Sequence, residues 1–305
     1  PDAVAIAFDL KTPTFRHKAY AGYKATRKGM PEELASQMEP LKKLLTLLGY
    51  RLVTCEGFEA DDILGTLAKA CEENGNECVI ATGDRDSLQL VSDKTSVHLC
   101  SNKQDILYTP EKILEDYGVT PKELIEIKAI QGDTSDNIPG APGVGPKTAS
   151  ALITQYHNIE TIFEHLDELK PPKAKKSISE NVEQVKLSKF LATIDIDVPV
   201  DYDLENAAVG GYYTPEAYEL FKRFNFKSFL KRFNQEDTGI TLEADRYFTC
   251  VTEFSEVEEL FANVTDEMRI QETGQSLNEI IDAGSYKIDC PETVGGFKVN
   301  WIHLK

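Results

Sequence analysis

The chain has 305 residues, 41% hydrophobic and 9% aromatic, which supports a packed core and excludes global disorder. Its formal net charge of −18 argues on average against a nucleic-acid partner, although a minority of positions can carry a local basic face. Cys55, Cys71, Cys78, Cys100, Cys250 and Cys290 form no CxxC pair and no zinc spacing, so they read as reduced thiols of a cytosolic protein. No apolar run approaches the ~18 residues of a membrane span.

The chain opens on Pro1 and drops straight into a strand pattern, as expected of a sequence whose true start lies upstream. Short apolar, β-branched runs at 3–8, 50–55, 77–83 and 96–100 are predicted strands. Segments 31–48 and 59–73 are predicted helices, the first with Leu34, Met38, Leu41, Leu44, Leu45 and Leu48 on one face. Strands alternating with helices imply an α/β domain whose parallel sheet is covered on both faces. From about 110 the texture becomes helical, starting with Thr109 before Pro110 as a cap and first-turn proline. Further helices are predicted at 121–131, 146–156, 158–166, 179–193 and 214–233. The proline-lysine stretch at 169–177 reads as a solvated loop, with a phosphate-backbone contact as the alternative. Near 240 the composition shifts to a strand and then a helix. The expected domains are therefore 1–109, 110–235 and 240–305.

Acidic residues cluster at the strand ends, where open parallel sheets bind ligands. Asp9 closes the first strand, Asp84 and Asp86 follow the third, and Glu59, Asp61 and Asp62 open the helix after the second. Asp133 and Asp136 lie in "GDTSD". Single acids at helix starts complement the macrodipole, but this many on one edge need cations to neutralise them. Oxygen donors without His or Cys favour Mg²⁺ or Mn²⁺, and a pair of such ions is the usual apparatus for in-line phosphodiester displacement. Two other motifs fail. "DRDSLQL" puts Leu88 and Leu90 where a calcium loop needs oxygens and glycine, and Pro146 breaks the Walker register of "GAPGVGPKT".

Between Asp9 and Glu32 there is no acid. Lys11, Arg16, Lys18, Lys24, Arg27 and Lys28 alternate there with Phe15, Tyr20 and Tyr23. Cations suit phosphates, and aromatic rings suit unstacked bases at about 1–3 kcal/mol each; a solvated helix face with core aromatics is the plainer alternative. In "PGVGPKTA", Gly143 and Gly145 allow a tight turn around Val144 that frees amides for a phosphate. Pro146 opens a helix, and Lys147 and Thr148 add side-chain contacts.

The segments "AFDLKTPTFRHKAYAGYKATR", "GFEADDILGTLA", "IATGDRDSLQLV" and "AIQGDTSDNIPGAPGVGPKTA" together resemble, from residue 1 to about 235, the 5′-nuclease domain of bacterial DNA polymerase I, within the flap endonuclease family. The resemblance implies a PIN-like, Rossmann-like α/β nuclease core followed by an all-helical DNA-binding subdomain with a helix–hairpin–helix clamp. It implies a first Mg²⁺ on Asp9, Glu59 and Asp61 and a second on Asp84, Asp86 and Asp136, with Mn²⁺ as a substitute. Asp62 and Asp133 would act from the outer shell. Arg16 and Lys24 would engage the scissile phosphate near a helical arch. Lys18, Tyr23, Arg27 and the hairpin Gly143, Val144, Gly145, Lys147 and Thr148 would bind DNA, the hairpin through K⁺. The implied substrates are 5′ flaps, nicks and RNA primers, in the bacterial cytoplasm on the nucleoid, with a polymerase domain in cis and no membrane.

The family's first strand, ending in Asp-Gly, precedes anything present, so one metal ligand and one sheet strand are expected to be missing. Residues 240–305 resemble the opening of a 3′–5′ exonuclease-like domain without its D-x-E pair. "MRIQETG" stands in its place, and Asp289 and Glu292 have the wrong spacing, so this piece is expected to be non-catalytic. Two alternatives to a nuclease stay open: a DNA-binding module without catalysis, and a P-loop nucleotidase.

Overall fold

A computed structural model describes residues 1–101, 105–203, 205–210, 214–230 and 232–233, together with short strand segments at 269–270, 285–286, 288–289 and 302–303. It divides into two compact units, Pro1–Tyr212 and Tyr213–Lys305. Most of the sequence assigned to an exonuclease-like start at 240–305, including "MRIQETG" beyond Ile270, lies outside the described residues.

In the first unit, β1 (Ala5–Ala7) pairs in parallel with β2 (Arg51–Val53), Ala5 opposite Arg51. Helices α1 (Phe15–Ala19) and α2 (Glu32–Leu47) lie between them in sequence, and α3 (Ala60–Glu73) follows β2. A second sheet has β3 (Cys78–Thr82) parallel to β4 (Thr95–Leu99), which pairs antiparallel with β5 (Ile106–Tyr108). The predicted strands are thus present, but in two sheets and with an antiparallel edge strand that the pattern at 106–108 was too short to announce. Along β4 the burial has period two: Thr95, Val97 and Leu99 are buried while Ser96 and His98 are half-buried. The inner face packs Ile80, Val97, Leu99 and Tyr108 against Ala68 of α3 and Leu88 of a 3₁₀ turn, Arg85–Leu90. The outer face is open, with Val79 62% exposed. On α2 only Leu44 of the predicted apolar face is buried; Leu34 and Leu41 are exposed.

The helical half has α4 (Pro110–Tyr117), α5 (Glu123–Gln131), α6 (Pro146–Tyr156), α7 (Ile159–Glu164), α8 (Pro172–Glu180) and α9 (Val182–Ala192). The Thr109 hydroxyl accepts from the Lys112 amide at 3.4 Å, and Gly118 ends α4 in the left-handed region at φ 70°. Helix α8 replaces most of the predicted proline-lysine loop, because Pro172 sits at the first helical position, where a missing N–H costs nothing. Asn181 then separates α8 from α9. Buried Glu126 ties three helices, accepting from the Ile159 amide at 3.1 Å and pairing with Lys189 at 2.6 Å. Among the described residues no helix is long and apolar enough to cross a membrane.

The second unit contains α10 (Pro215–Arg223) and α11 (Lys227–Leu230) where one helix was expected; Asn225, at φ 57°, interrupts it. Phe221 stacks on Phe229 at 5.2 Å. The short strands β6 (Arg269–Ile270) and β8 (Ile288–Asp289) pair antiparallel, as do β7 (Ser285–Tyr286) and β9 (Ile302–His303).

The loop 132–140 between α5 and α6 is closed on itself. Asp133 and Ile138 exchange backbone hydrogen bonds of 2.8 and 2.7 Å, and Ala141 N–H donates to Ile130 O at 2.7 Å. Closure brings Gly140 so near Gly132 that a Cβ on Gly140 would meet the Gly132 nitrogen at 2.2 Å, and Gly140 has φ +60°. Gly140→Ala is therefore expected to lower the unfolding free energy by about 2 kcal/mol or more. Urea denaturation checks this, and an unchanged midpoint would contradict the packing.

Candidate metal centre

The strand ends bring the predicted acids to one edge. Asp9, just past β1, accepts the Ala60 amide at 2.7 Å, which joins that strand to the start of α3. Asp84 opens the 3₁₀ turn by accepting the Asp86 amide at 2.9 Å, and its own amide donates to the Thr82 hydroxyl at 3.1 Å. The Ser87 hydroxyl donates to Asp61 at 3.3 Å, so the turn and α3 are joined through the acid itself. An open cleft of about 570 Å³ is lined by Asp84, Arg85, Asp86, Lys128, Asp133 and Ser135.

Five of the eight acids hold cations. Asp62, fully buried, receives both Arg16 terminal nitrogens at 2.7 and 2.8 Å, the Glu59 amide at 2.9 Å and the Asp195 amide at 2.8 Å. Glu59 accepts from Lys24 Nζ at 2.8 Å and from the Tyr23 hydroxyl at 3.0 Å. Asp136 pairs closely with Arg27, and Lys24 stands 3.9 Å away. Lys128 bridges Asp86 and Asp133, with 2.6 Å to the latter. Among the described residues Asp9, Asp61 and Asp84 form no ion pair.

The electrostatics follow this division. Burial, then the charges of Asp84, Asp86 and Asp9, push the Asp61 carboxyl from 3.8 to about 6. Asp86 is also raised, by burial first, with Lys128 opposing and Asp84 and Asp133 adding to the shift. Burial works to raise Asp133, but hydrogen bonds from Lys128 and Ser135 outweigh it and hold the group at about 2. Burial also works against the Lys128 charge, yet Asp86 and Asp133 keep its pKa above the usual lysine value.

This arrangement regroups the expected ligands. Asp61 responds to Asp9, Asp84 and Asp86, whereas Glu59 and Asp136 share Lys24 and Tyr23. The first set, all hard oxygen donors with surplus negative charge, fits a divalent cation of the Mg²⁺ or Mn²⁺ kind. No three of the acids place one oxygen each within 4.8 Å of one another among the described residues.

Two expected roles are corrected. Arg16 is 3% exposed and spends its donors on Asp62, Leu191 O at 3.0 Å, Thr193 O at 2.7 Å and Glu59 at 3.5 Å, leaving nothing for a phosphate. Asp62 accepts four hydrogen bonds, one of them from the Glu59 amide. Tyr23 is 3% exposed, packed with Ile138, Leu191 and Ala192, and cannot stack on a base. Phe15 likewise turns inward, 5.7 Å from both Phe58 and Phe190. The cations of the window divide: Lys24 and Arg27 reach the acids, while Lys11, Lys18 and Lys28 are exposed and form no ion pair among the described residues.

At the hairpin, Gly143 has φ +75° and Gly145 precedes α6. Val144 is a core side chain, 5% exposed, whose amide donates to Ala141 O at 3.1 Å. The Thr148 amide donates to Gly145 O at 3.1 Å, and Lys147 is exposed. Lys128, absent from the predicted set, is the basic residue in the last turn of α5, four residues before Gly132. Its position just ahead of an acidic loop was the available signal.

Residues 1–118 match the model of the 5′-3′ exonuclease N-terminal resolvase-like domain, and 119–214 that of the 5′-3′ exonuclease C-terminal SAM fold. The chain belongs to the 5′–3′ exonuclease family. Relatives of this exonuclease sequence include DNA polymerase I of Bacillus subtilis, 39% identical over 77% of the chain, and the thermostable DNA polymerase I of Thermus filiformis, 43% identical over 67%. The chain spans about a quarter of their length, 27% and 24%. Among solved structures, T5 5′-exonuclease with divalent metal ions (zinc) bound aligns with a TM-score of 0.56 at 24% identity, covering 63% of this chain and 74% of that one. The bacteriophage T5 flap endonuclease in a complex with DNA and metal ions gives 0.55 at 24%, covering 64% and 74%. At these identities the likeness shows the exonuclease fold.

Two outcomes are expected. Asp62→Ala leaves the Arg16 charge buried and unpaired and should cost about 3–5 kcal/mol in urea unfolding; a loss below about 1 kcal/mol would contradict the pair's role. An acid raised on folding from 3.8 to about 6 stabilises the fold when protonated. That contribution is complete below pH 3.8 and is lost as pH rises through about 6. Without metal, the stability of the wild type relative to Asp61→Asn should fall across that window, and a flat difference would contradict the crowding.

Proposed function

We propose that the chain is the 5′-nuclease portion of a bacterial DNA polymerase I, a divalent-metal-dependent, structure-selective enzyme that cuts phosphodiesters near single-strand/duplex junctions. What carries the reading is the gathering of Asp9, Asp61, Asp84 and Asp86 at the strand ends of a 5′–3′ exonuclease fold, three of them without a cationic partner. A bound divalent ion, held by Asp61, Asp84 and Asp86 with Asp9, would supply Lewis acidity at the scissile phosphodiester. Glu59 and Asp136 are the acids for a second ion, and Lys24, half-buried beside both, is the cation for the phosphate. Water adds to phosphorus, the bond from phosphorus to O3′ breaks, and the products carry 5′-phosphate and 3′-hydroxyl ends.

Duplex binding is assigned to the helix–hairpin–helix segment from α5 to α6. Its support is the exposed Gly143, Gly145 and Lys147 at the start of an eleven-residue helix, where amides and the positive end of the dipole favour phosphate, and K⁺ belongs to the same reading. Exposed Lys11, Lys18 and Lys28 add cations in the segment that follows Asp9. The substrates are 5′ flaps, nicks and RNA primers, in the bacterial cytoplasm on the nucleoid, with a polymerase domain in cis. The pairing of five acids with lysine and arginine favours one competing reading, a DNA-binding module without catalysis.

A 5′-flap duplex with Mg²⁺ separates the two. Cleavage that falls at least about 100-fold in Asp84→Asn, with DNA affinity kept, is the expected result. Binding without cutting in the wild type, at any Mg²⁺ or Mn²⁺ concentration, supports the binding module. Lys147→Ala should weaken duplex binding evenly across sequences and lower the slope of log K against log salt by about 1. An unchanged slope moves the duplex grip away from the hairpin.

A further inference from the structure

The outer face of the β3–β4–β5 sheet carries a cluster that the nuclease reading leaves unused. Residues two apart on a strand share a face, so His98 and Cys100 project together, opposite to buried Val97 and Leu99. Leu99 lies opposite Ile106 across the antiparallel pair, which brings Asp105 to the level of Cys100. One ligand atom each from His98, Cys100 and Asp105 lies within 4.8 Å of the others, and among the described residues this is the single such trio.

The backbone already braces two of the three. Cys100 N–H donates to Thr82 O at 2.8 Å, and Ser101 N–H donates to Asp105 Oδ1 at 3.1 Å, closing the two strand ends. Among the described residues the Cys100 thiol has only a long contact of 3.6 Å to His98 O, and the His98 imidazole has no hydrogen-bond or ion-pair partner.

We infer that His98, Cys100 and Asp105 form a second metal site, for a borderline-soft divalent ion of the zinc class. Imidazole nitrogen and thiolate sulfur select such an ion over Mg²⁺, which the oxygen-only edge prefers. Tetrahedral zinc holds its ligand atoms about 3.3–3.8 Å apart, so small side-chain rotations close the trio and leave a fourth position for water. The Cys100 thiol loses its proton to solvent on binding, and affinity rises with pH. Thr82 links this site to the acidic edge: its carbonyl accepts from Cys100 N–H, and its hydroxyl accepts from the Asp84 amide. A bound ion would pin the end of β4 beside Asp84.

Cobalt titration of the full chain, reduced and in excess Mg²⁺, tests the site. A sulfur-to-cobalt charge-transfer band should grow in the near ultraviolet, saturate at one ion per chain and disappear on adding Zn²⁺. Cys100→Ser should abolish the band, and His98→Ala should weaken cobalt binding at least about tenfold, both with unchanged far-ultraviolet circular dichroism. No band at saturating Co²⁺, an undiminished band in Cys100→Ser, or unchanged affinity in His98→Ala overturns the inference. Should a variant fail to fold, alkylation of Cys100 in the wild type decides. Protection by Zn²⁺ supports the site, and undiminished alkylation at saturating Zn²⁺ overturns it.

Discussion

The buried pair between Arg16 and Asp62 fixes the frame in which every other charge of the site is placed. One carboxylate accepts both terminal nitrogens of the guanidinium and the amides of Glu59 and Asp195. The guanidinium in turn donates to Leu191 O and Thr193 O. Helix α1, the start of α3 and the chain after α9 are thereby tied at one point. Taking an ion pair out of water is costly, and such a pair persists where its hydrogen bonds are fully satisfied, as they are here. The result is positional: Glu59 and Asp61 lie within the three residues before Asp62 and inherit its fixed location.

From that point outward the site is a problem of charge balance. Carboxylates gathered at strand ends repel, and the chain answers the repulsion in two ways. Lys24, Arg27 and Lys128 take up Glu59, Asp136, Asp86 and Asp133, while among the described residues Asp9, Asp61 and Asp84 have only neutral donors. The loop 132–140 separates its two acids, Asp133 toward Lys128 and Asp136 toward Arg27. It is also held to the basic window by Asn137 Nδ2 donating to Gly22 O at 2.7 Å. The loop that carries the acids continues directly into the hairpin, so cutting and holding would share one rigid joint, braced by Gln184 donating to Gly140 O at 2.6 Å and Gly140 N–H donating to Ser188 at 2.9 Å.

Much of this was legible in the sequence because the relevant signals are local. Strand runs, the capped start of α4, the proline that opens α6, and acids at strand ends all depend on neighbours a few residues away. What failed to show depends on distant partners. Arg16 looked like a phosphate cation because nothing nearby in sequence reveals Asp62, 46 residues on. Tyr23 and Phe15 looked like base platforms because an aromatic ring serves a core equally well. Lys128 went unnoticed since its two acids lie in different segments. The His98, Cys100 and Asp105 trio evaded a search for paired cysteines, for its ligands come together only through strand register. Helix α8 was hidden by prolines that read as a loop yet sit at its first turn.

On this reading, the unpaired acids at the strand ends are kept open for a divalent cation. Anomalous diffraction from crystals soaked in Mn²⁺ tests it most directly. The expected result is an anomalous peak in contact with the carboxylates of Asp61 and Asp84, with Arg16 and Asp62 still paired behind it. Manganese absent from that edge, or bound only at positions away from Asp61 and Asp84, would contradict it.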